Sequence, residues 1–209
     1  MPELAALLAG PVDVAARSLL GWEVEAGGVR VRLTEVEAYA GTGADPASHA
    51  HRGPTPRSSV MFGPAGRVYT YLAYGAHWCC NIVCGAQGEA AAVLLRAGEV
   101  VAGAALARQR RGDVAHRDLA RGPARLAAAL GVGPEAYGTS AVDGTGPLLL
   151  APPSRPVDPR CVTSGPRVGV AQAADVPWRF WVDGDPTVSP YRRHAPRRRR
   201  PAAGHRAAR

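Results

Sequence analysis

Apolar positions repeat with two different periods along the first forty residues. Leu4, Leu7 and Leu8, then Val14, Ala15 and Leu19, follow the spacing of one helix face, and Gly10-Pro11 interrupts them. The spacing predicts two short helices within residues 3–20. Trp22–Glu25 and Val29–Tyr39 alternate in the manner of strands, and Ala26-Gly27-Gly28 between them reads as a hairpin turn. Residues 40–67 are dominated by Gly, Pro, Ser, Asp and Arg and predict a long irregular segment, which in a compact domain is usually functional or disordered. Arg67–Tyr74 and His77–Cys84 predict two strands around a Gly75 turn, and Ala90–Ala97 predicts a third. Val101–Arg111 and Leu119–Leu130 predict helices, with Pro123 tolerated near the start of the second. Leu148–Leu150, Val168–Val170 and Arg179–Val182 predict short late strands, and Pro152–Pro159 a proline-rich connector. No internal repeat or domain linker stands out.

Composition narrows the class. A chain of 209 residues with 46% hydrophobic residues, 25 Gly and 19 Pro predicts one packed domain with many turns. No apolar run approaches the ~18 residues of a membrane span. The first twenty residues lack the basic start and apolar stretch of a secretory signal. Four Cys do not make a disulfide scaffold in a chain this long, so a cytoplasmic location is expected.

Charge is distributed unevenly. The net charge is +8, all 25 basic residues are Arg, and eight of them lie from Arg192 onward with no acid among them. Residues 1–191 therefore hold 17 Arg against 17 acids and are formally neutral. The basic tail, 192–209, has almost nothing apolar to bury and is expected to be disordered. Its arginines suit non-specific attraction to nucleic-acid phosphates. Without lysine, Schiff-base chemistry by a lysine side chain is excluded.

Three groups of residues carry candidate chemistry. Glu35 and Glu37 flank Val36, so strand period puts both carboxylates on one face. Such a pair tends to raise one carboxyl's pKa, which suits acid–base work, but it also fits a solvated strand face. His49, His51, Arg52 and Arg57 follow in the irregular segment. The second group is the stretch 67–84, where Tyr69, Tyr71, Tyr74, His77 and Trp78 crowd one hairpin. Aromatic faces there could stack a base and a ring at the tip could wedge into a stack, or the hairpin could be ordinary aromatic core. The third is His77, Cys79, Cys80 and Cys84, which invites a zinc reading. Strand alternation divides these side chains between two faces and no CxxC occurs, so no metal site is expected and buried thiols are. Asn81 fits either a pocket polar group or a partner for backbone.

In order along the chain stand EVEAY (Glu35–Tyr39), PASHAHRG (Pro46–Gly53), PRSSVMF (Pro56–Phe62), VYTYLAYGAHWCCNIV (Val68–Val83), VLLRAGE (Val93–Glu99), RGPARL (Arg121–Leu126) and PRVGV (Pro166–Val170). With these motifs the chain resembles the alkyladenine (3-methyladenine) DNA glycosylase family over roughly residues 2–190. The resemblance implies an α+β fold: a single mixed domain, 1–191, with a curved antiparallel sheet, short helices and a protruding β-hairpin that inserts into DNA. It implies a monofunctional, cofactor-free enzyme of base excision repair. Such an enzyme works as a monomer on double-stranded DNA containing damaged purines, in the bacterial cytoplasm at the nucleoid, with no membrane partner. Residue by residue, Glu37 matches the general base that activates water, and Arg96 the group that helps position that water. Tyr39, His49 and Tyr71 match the pocket that sandwiches the flipped base. Asn81 matches a pocket residue that rejects normal guanine, Val168 and Gly169 line the pocket, and Tyr74 matches the intercalating residue. His77 stands where relatives often have another aromatic.

Two other readings remain open on sequence. MPEL resembles the start of formamidopyrimidine-type bifunctional glycosylases, in which Pro2 would be the attacking amine. A non-catalytic nucleic-acid binder would leave Glu37, His49 and Arg96 unexplained.

Overall fold

Gly27 and Gly28 set the first hairpin. Both have positive φ, 52° and 75°, as a two-residue type I′ turn requires, and Ala26 pairs with Val29 across them. The structure, a computed structural model, describes residues 2–195. Helices α1 (Pro2–Leu8) and α2 (Val12–Ser18) come first, divided at Gly10-Pro11 as expected. Strands β1 (Glu23–Ala26), β2 (Val29–Tyr39), β3 (Val68–Ala73), β4 (His77–Val83) and β5 (Ala92–Ala102) follow. Then come α3 (Ala104–Arg111), α4 (Pro123–Leu130), β6 (Leu148–Ala151), β7 (Val162–Gly165) and β8 (Arg179–Val182).

The strands form one antiparallel sheet in the order β3-β4-β5-β2-β1-β6, curled into a half-barrel within a single mixed α+β domain. Strand β2 is its axis. One edge of β2 pairs with β5 along nearly its whole length, while the other pairs first with β1 and then, at Glu35–Glu37, with β8. The helices cover one face. There Leu4, Leu19, Leu126 and Leu130 pack with Val31, Leu33, Val36, Ile82, Val93 and Leu95, all fully buried.

Two irregularities at the centre decide which side chains reach the other face. Leu33 pairs with Gly98 and Glu35 with Ala97, so Thr34 is an extra residue; Val36 then pairs with Leu95, so Arg96 is the extra residue of β5. A one-residue insertion flips every later side chain to the opposite face. Core positions on β2 accordingly run Val29, Val31, Leu33 and then Val36, Ala38. On β5 they run Val93, Leu95 and then Val100. The two insertions compensate, so the strands stay paired while Glu35, Glu37 and Arg96 meet on the face without helices.

Several expected elements shift. β5 continues to Ala102 because Val100 and Ala102 pair with Val31 and Arg30, so the helix placed at Val101 starts only at Ala104, after Gly103 turns with φ 74°. The helix placed at Leu119 starts at Pro123, and before it Arg121 bridges Ala97. Val168–Val170 is not a strand: Val168 and Gly169 form a turn, and the strand pairing with β8 is Val162–Gly165. The irregular segment 40–67 contains one 3₁₀ turn, Ser59–Phe62. Of the basic tail, residues 196–209 lie outside the described residues.

Gly98 of β5 pairs with Leu33 and packs tightly against β2. A Cβ there would collide with the Arg32 carbonyl and the Val31 side chain. Gly98→Ala is expected to destabilise the fold by about 1–3 kcal/mol through overpacking, read as a lowered denaturation midpoint. An unchanged midpoint would mean the strands can separate freely.

Candidate active site

The polar face of the sheet centres on Arg96. Arg96, Glu35 and Glu37 are buried, the two carboxylates completely. The Arg96 guanidinium bridges the carboxylates: Nε donates to Glu35 Oε1 at 2.7 Å and Nη1 to Glu37 Oε2 at 3.2 Å. The two glutamates are nevertheless unlike. Glu35 accepts four hydrogen bonds, from Arg96, from Arg179 Nε (2.7 Å), and from the Ser189 amide (2.7 Å) and hydroxyl (2.9 Å). Three of the four fall on Oε1 and one on Oε2, so Glu35 is shared between two guanidiniums and Ser189. Glu37 accepts three, from Arg96, from the Tyr39 hydroxyl (2.8 Å) and from the Val168 amide (2.7 Å). Glu37 is thus paired with one guanidinium where Glu35 has two, and its other donors come from Tyr39 and Val168.

The expected mutual raising of the two carboxyls does not hold for Glu35. Burial favours its neutral form, but Arg96 and Arg179 outweigh that and hold it below the usual carboxylate range. The solvated-face alternative fails as well. Residues 185–189 run across this face: Asp185 accepts from Arg32 at 2.9 Å, the Thr187 and Thr34 hydroxyls meet at 2.8 Å, and Ser189 caps Glu35.

Aromatic rings stand beside the carboxylates. His49 lies edge-on to Tyr71, ring centres 4.7 Å apart, and Tyr69 lies 5.5 Å from Tyr71. His49 Nδ1 is 2.9 Å from the Tyr69 hydroxyl. His49 is itself exposed, but desolvation of its ring by the tyrosines around it, aided by Arg57, pushes the imidazole down to about 4, so it is neutral at ordinary pH. Burial likewise raises the hydroxyls of Tyr39 and Tyr71, reinforced at Tyr39 by Glu37. Each of these two rings faces a guanidinium, Arg57 at 4.9 Å from Tyr71 and Arg167 at 4.7 Å from Tyr39.

The remaining candidates fall in three places. Asn81 is buried and donates to the Tyr69 carbonyl at 2.9 Å, so its amide nitrogen serves the backbone. Val168 touches Glu37 through its amide, and the Gly169 amide donates to the Arg192 carbonyl at 3.0 Å. Tyr74 stands apart at the tip of the β3–β4 hairpin, 92% exposed, with a φ of 52°. A bulky residue in the left-handed region is strained, and such strain clusters at functional positions. His77, beside the tip, is exposed. Cys79, Cys80 and Cys84 are free and buried, and burial pushes the Cys80 and Cys84 thiols up to about 12. Pro2 opens α1, whose Leu4 and Leu8 pack under the helix-covered face, away from Glu37.

Residues 6–186 match the methylpurine-DNA glycosylase family. The chain belongs to that family. Its relatives include a Streptomyces avermitilis protein, 55% identical over 83% of this chain and 82% of its own. A Frankia casuarinae protein is 53% identical over 86% and 88%, and a Mycobacterium tuberculosis protein 48% identical over 91% and 93%. All three are provisionally named 3-methyladenine DNA glycosylases. The chain is thus a DNA glycosylase of DNA repair, a hydrolase of N-glycosyl bonds. Within this glycosylase, sequence reasoning missed Asp45, Arg167, Arg179 and Ser189, all of which hold the site from outside. The motif PRVGV contains Arg167, but nothing in the sequence points to its partner 122 residues away.

Two outcomes follow from this geometry. Glu35→Gln leaves Arg96 and Arg179 without their shared charge and should destabilise the protein by about 3–5 kcal/mol in denaturant titrations; wild-type stability would show the cluster to be solvated. His49 exchanges a folded pKa of about 4 for an ordinary one on unfolding. Stability tied to its neutral form is complete above about pH 6.5 and is lost as pH falls toward 4. His49→Gln should therefore flatten the fall in melting temperature over that window, and an undiminished fall would assign it to other groups.

Proposed function

We propose that this glycosylase flips alkylated or deaminated purines out of duplex DNA and hydrolyses their N-glycosidic bond with a water activated by Glu37. The observation that carries the reading is the asymmetry of the two buried glutamates. Glu35 is held by two guanidiniums and covered by Ser189, whereas Glu37 is paired with one guanidinium and bonds the Tyr39 hydroxyl beside the aromatic rings. Arg96 pairs with the Glu37 carboxylate and aims it. That carboxylate takes a proton from water as the water oxygen bonds to C1′ and the base departs with the bonding electron pair. Its charge also favours the oxocarbenium-like sugar on the way.

Tyr39, His49 and Tyr71 form the stacking pocket, with Val168 and Gly169 along its wall. Asn81, pinned to the Tyr69 carbonyl, presents a fixed polar group that disfavours normal guanine. Tyr74 fills the gap left by the extruded nucleotide. Its strained, exposed tip position has no packing role to explain it. The body works as a monomer, and the arginines from Arg192 onward add phosphate attraction without choosing the lesion.

Glu37→Gln should still bind lesion DNA but lose ~10²–10⁴-fold in single-turnover base release, assayed on duplexes with 3-methyladenine, 7-methylguanine, hypoxanthine or ethenoadenine. Release within a few-fold of wild type would sink the reading. Tyr74→Ala should weaken lesion binding and slow excision while leaving the melting temperature in place. Unchanged affinity and kinetics together would remove the wedge, and a large drop in melting temperature would make Tyr74 a packing residue.

A further inference from the structure

We infer that Arg167 and Asp45 form a buried clamp that positions Glu37 and Tyr39, acting without touching substrate. The inference rests on the proposed role of Glu37. Both side chains are essentially inaccessible, and they pair through two parallel bonds, Arg167 Nη1 to Asp45 Oδ2 at 2.6 Å and Nη2 to Oδ1 at 2.8 Å. Arg167 also donates to the carbonyls of Ala38 (3.0 Å) and Ala173 (3.4 Å). Asp45 in turn accepts the amides of Ala40 and Ala47. The pair therefore ties the segment that follows β2 to the segment that precedes β8.

Two contacts connect the clamp to the chemistry. The guanidinium lies over the Tyr39 ring, 4.7 Å from its centre, and over Trp178 at 5.5 Å. Arg167 is wholly buried, so it backs the ring from inside and fixes the tilt that brings the Tyr39 hydroxyl to Glu37 Oε2. The next residue is Val168, whose amide holds Glu37 Oε1. Both of the uncharged donors on Glu37 are thus set by one guanidinium.

The clamp is poorly designed for stability alone. Arg167 Nε is buried with no partner, and Ala173, held by the clamp, has a φ of 48°. An unpaired buried donor and a strained alanine are retained where geometry matters more than stability.

The test uses Arg167→Lys, Asp45→Asn and the double variant in the full-length protein. Lys keeps the charge but cannot supply the flat two-point fork. Folding is checked by circular dichroism, and single-turnover excision is measured against enzyme concentration. Each single variant is expected to lose ~10–100-fold in the saturated rate, with the double no worse than the weaker single and the half-saturating enzyme concentration changed only a few-fold. A role confined to stability would lower the melting temperature and leave the saturated rate of the folded protein in place. Wild-type saturated rates in folded variants overturn the clamp, provided Glu37→Gln is inactive; an active Glu37→Gln overturns the parent reading instead. Should Arg167→Lys or Asp45→Asn not fold, Asp45→Glu keeps the ion pair but shifts it by a methylene, and an unchanged saturated rate there overturns the inference equally.

Discussion

Burying a charge is tolerable only if others are buried with it. Glu35 and Glu37 have no solvent access, and each would be prohibitive alone; Arg96 and Arg179 make the four-residue cluster formally neutral. Everything on the polar face answers to that requirement. The insertion at Thr34 turns the glutamates away from the helix-covered core, and the insertion at Arg96 delivers the guanidinium to meet them. β8 brings Arg179, and the segment through Ser189 closes over Glu35. Removing Arg96 or Arg179 would leave the buried cluster with an uncompensated charge. Removing the Ser189 segment would take two of the four hydrogen bonds on Glu35, so the site is a property of the whole half-barrel rather than of one strand.

This dependence explains which parts could be read from sequence. The hairpins at Gly27-Gly28 and Gly75 and the helix break at Gly10-Pro11 are local, and local signals fixed them. The two phase changes were also visible in principle. On β2 the apolar positions run 29, 31, 33 and then 36, 38, a skipped beat that simple alternation over 29–39 passes over. Reading that skip as a bulge would have placed Glu35 and Glu37 on the face of Arg32 without any family comparison. Val168–Val170 failed for the opposite reason. Alternation there is real, but Gly169 adopts a φ of 72° and its amide goes to Arg192, so the segment has no ladder to join.

The rest of the site was illegible because its partners are far apart in sequence and lie in segments without period. Asp45 and Arg167 are separated by 122 residues and Glu35 and Ser189 by 154. Neither Asp45 nor Ser189 stands in a pattern that distinguishes it from an ordinary loop residue. The long segment 40–67 looked functional from its composition, yet composition could not say that Asp45 pairs with Arg167 while His49 stands edge-on to Tyr71.

The same electrostatics constrain how a pocket here could choose its base. His49 is neutral at ordinary pH, the hydroxyls of Tyr39 and Tyr71 are held protonated, and the carboxylates beyond them are matched by arginines. Arg57 and Arg167 place positive charge against the two rings. A cationic purine would therefore meet no net negative field to draw it in. If Glu37 is the base, charge enters at the chemical step rather than at capture: as the glycosidic bond lengthens, positive charge grows on the sugar beside a carboxylate already fixed in place. Selection among purines would then fall to the ease of extrusion and the fit between rings, terms on which neutral and cationic lesions compete alike. If Glu37 is the base, a neutral pocket with a carboxylate held rigid by Arg96, Tyr39 and Val168 suits the breaking of a weakened bond in a loosely stacked base, whatever charge that base carries.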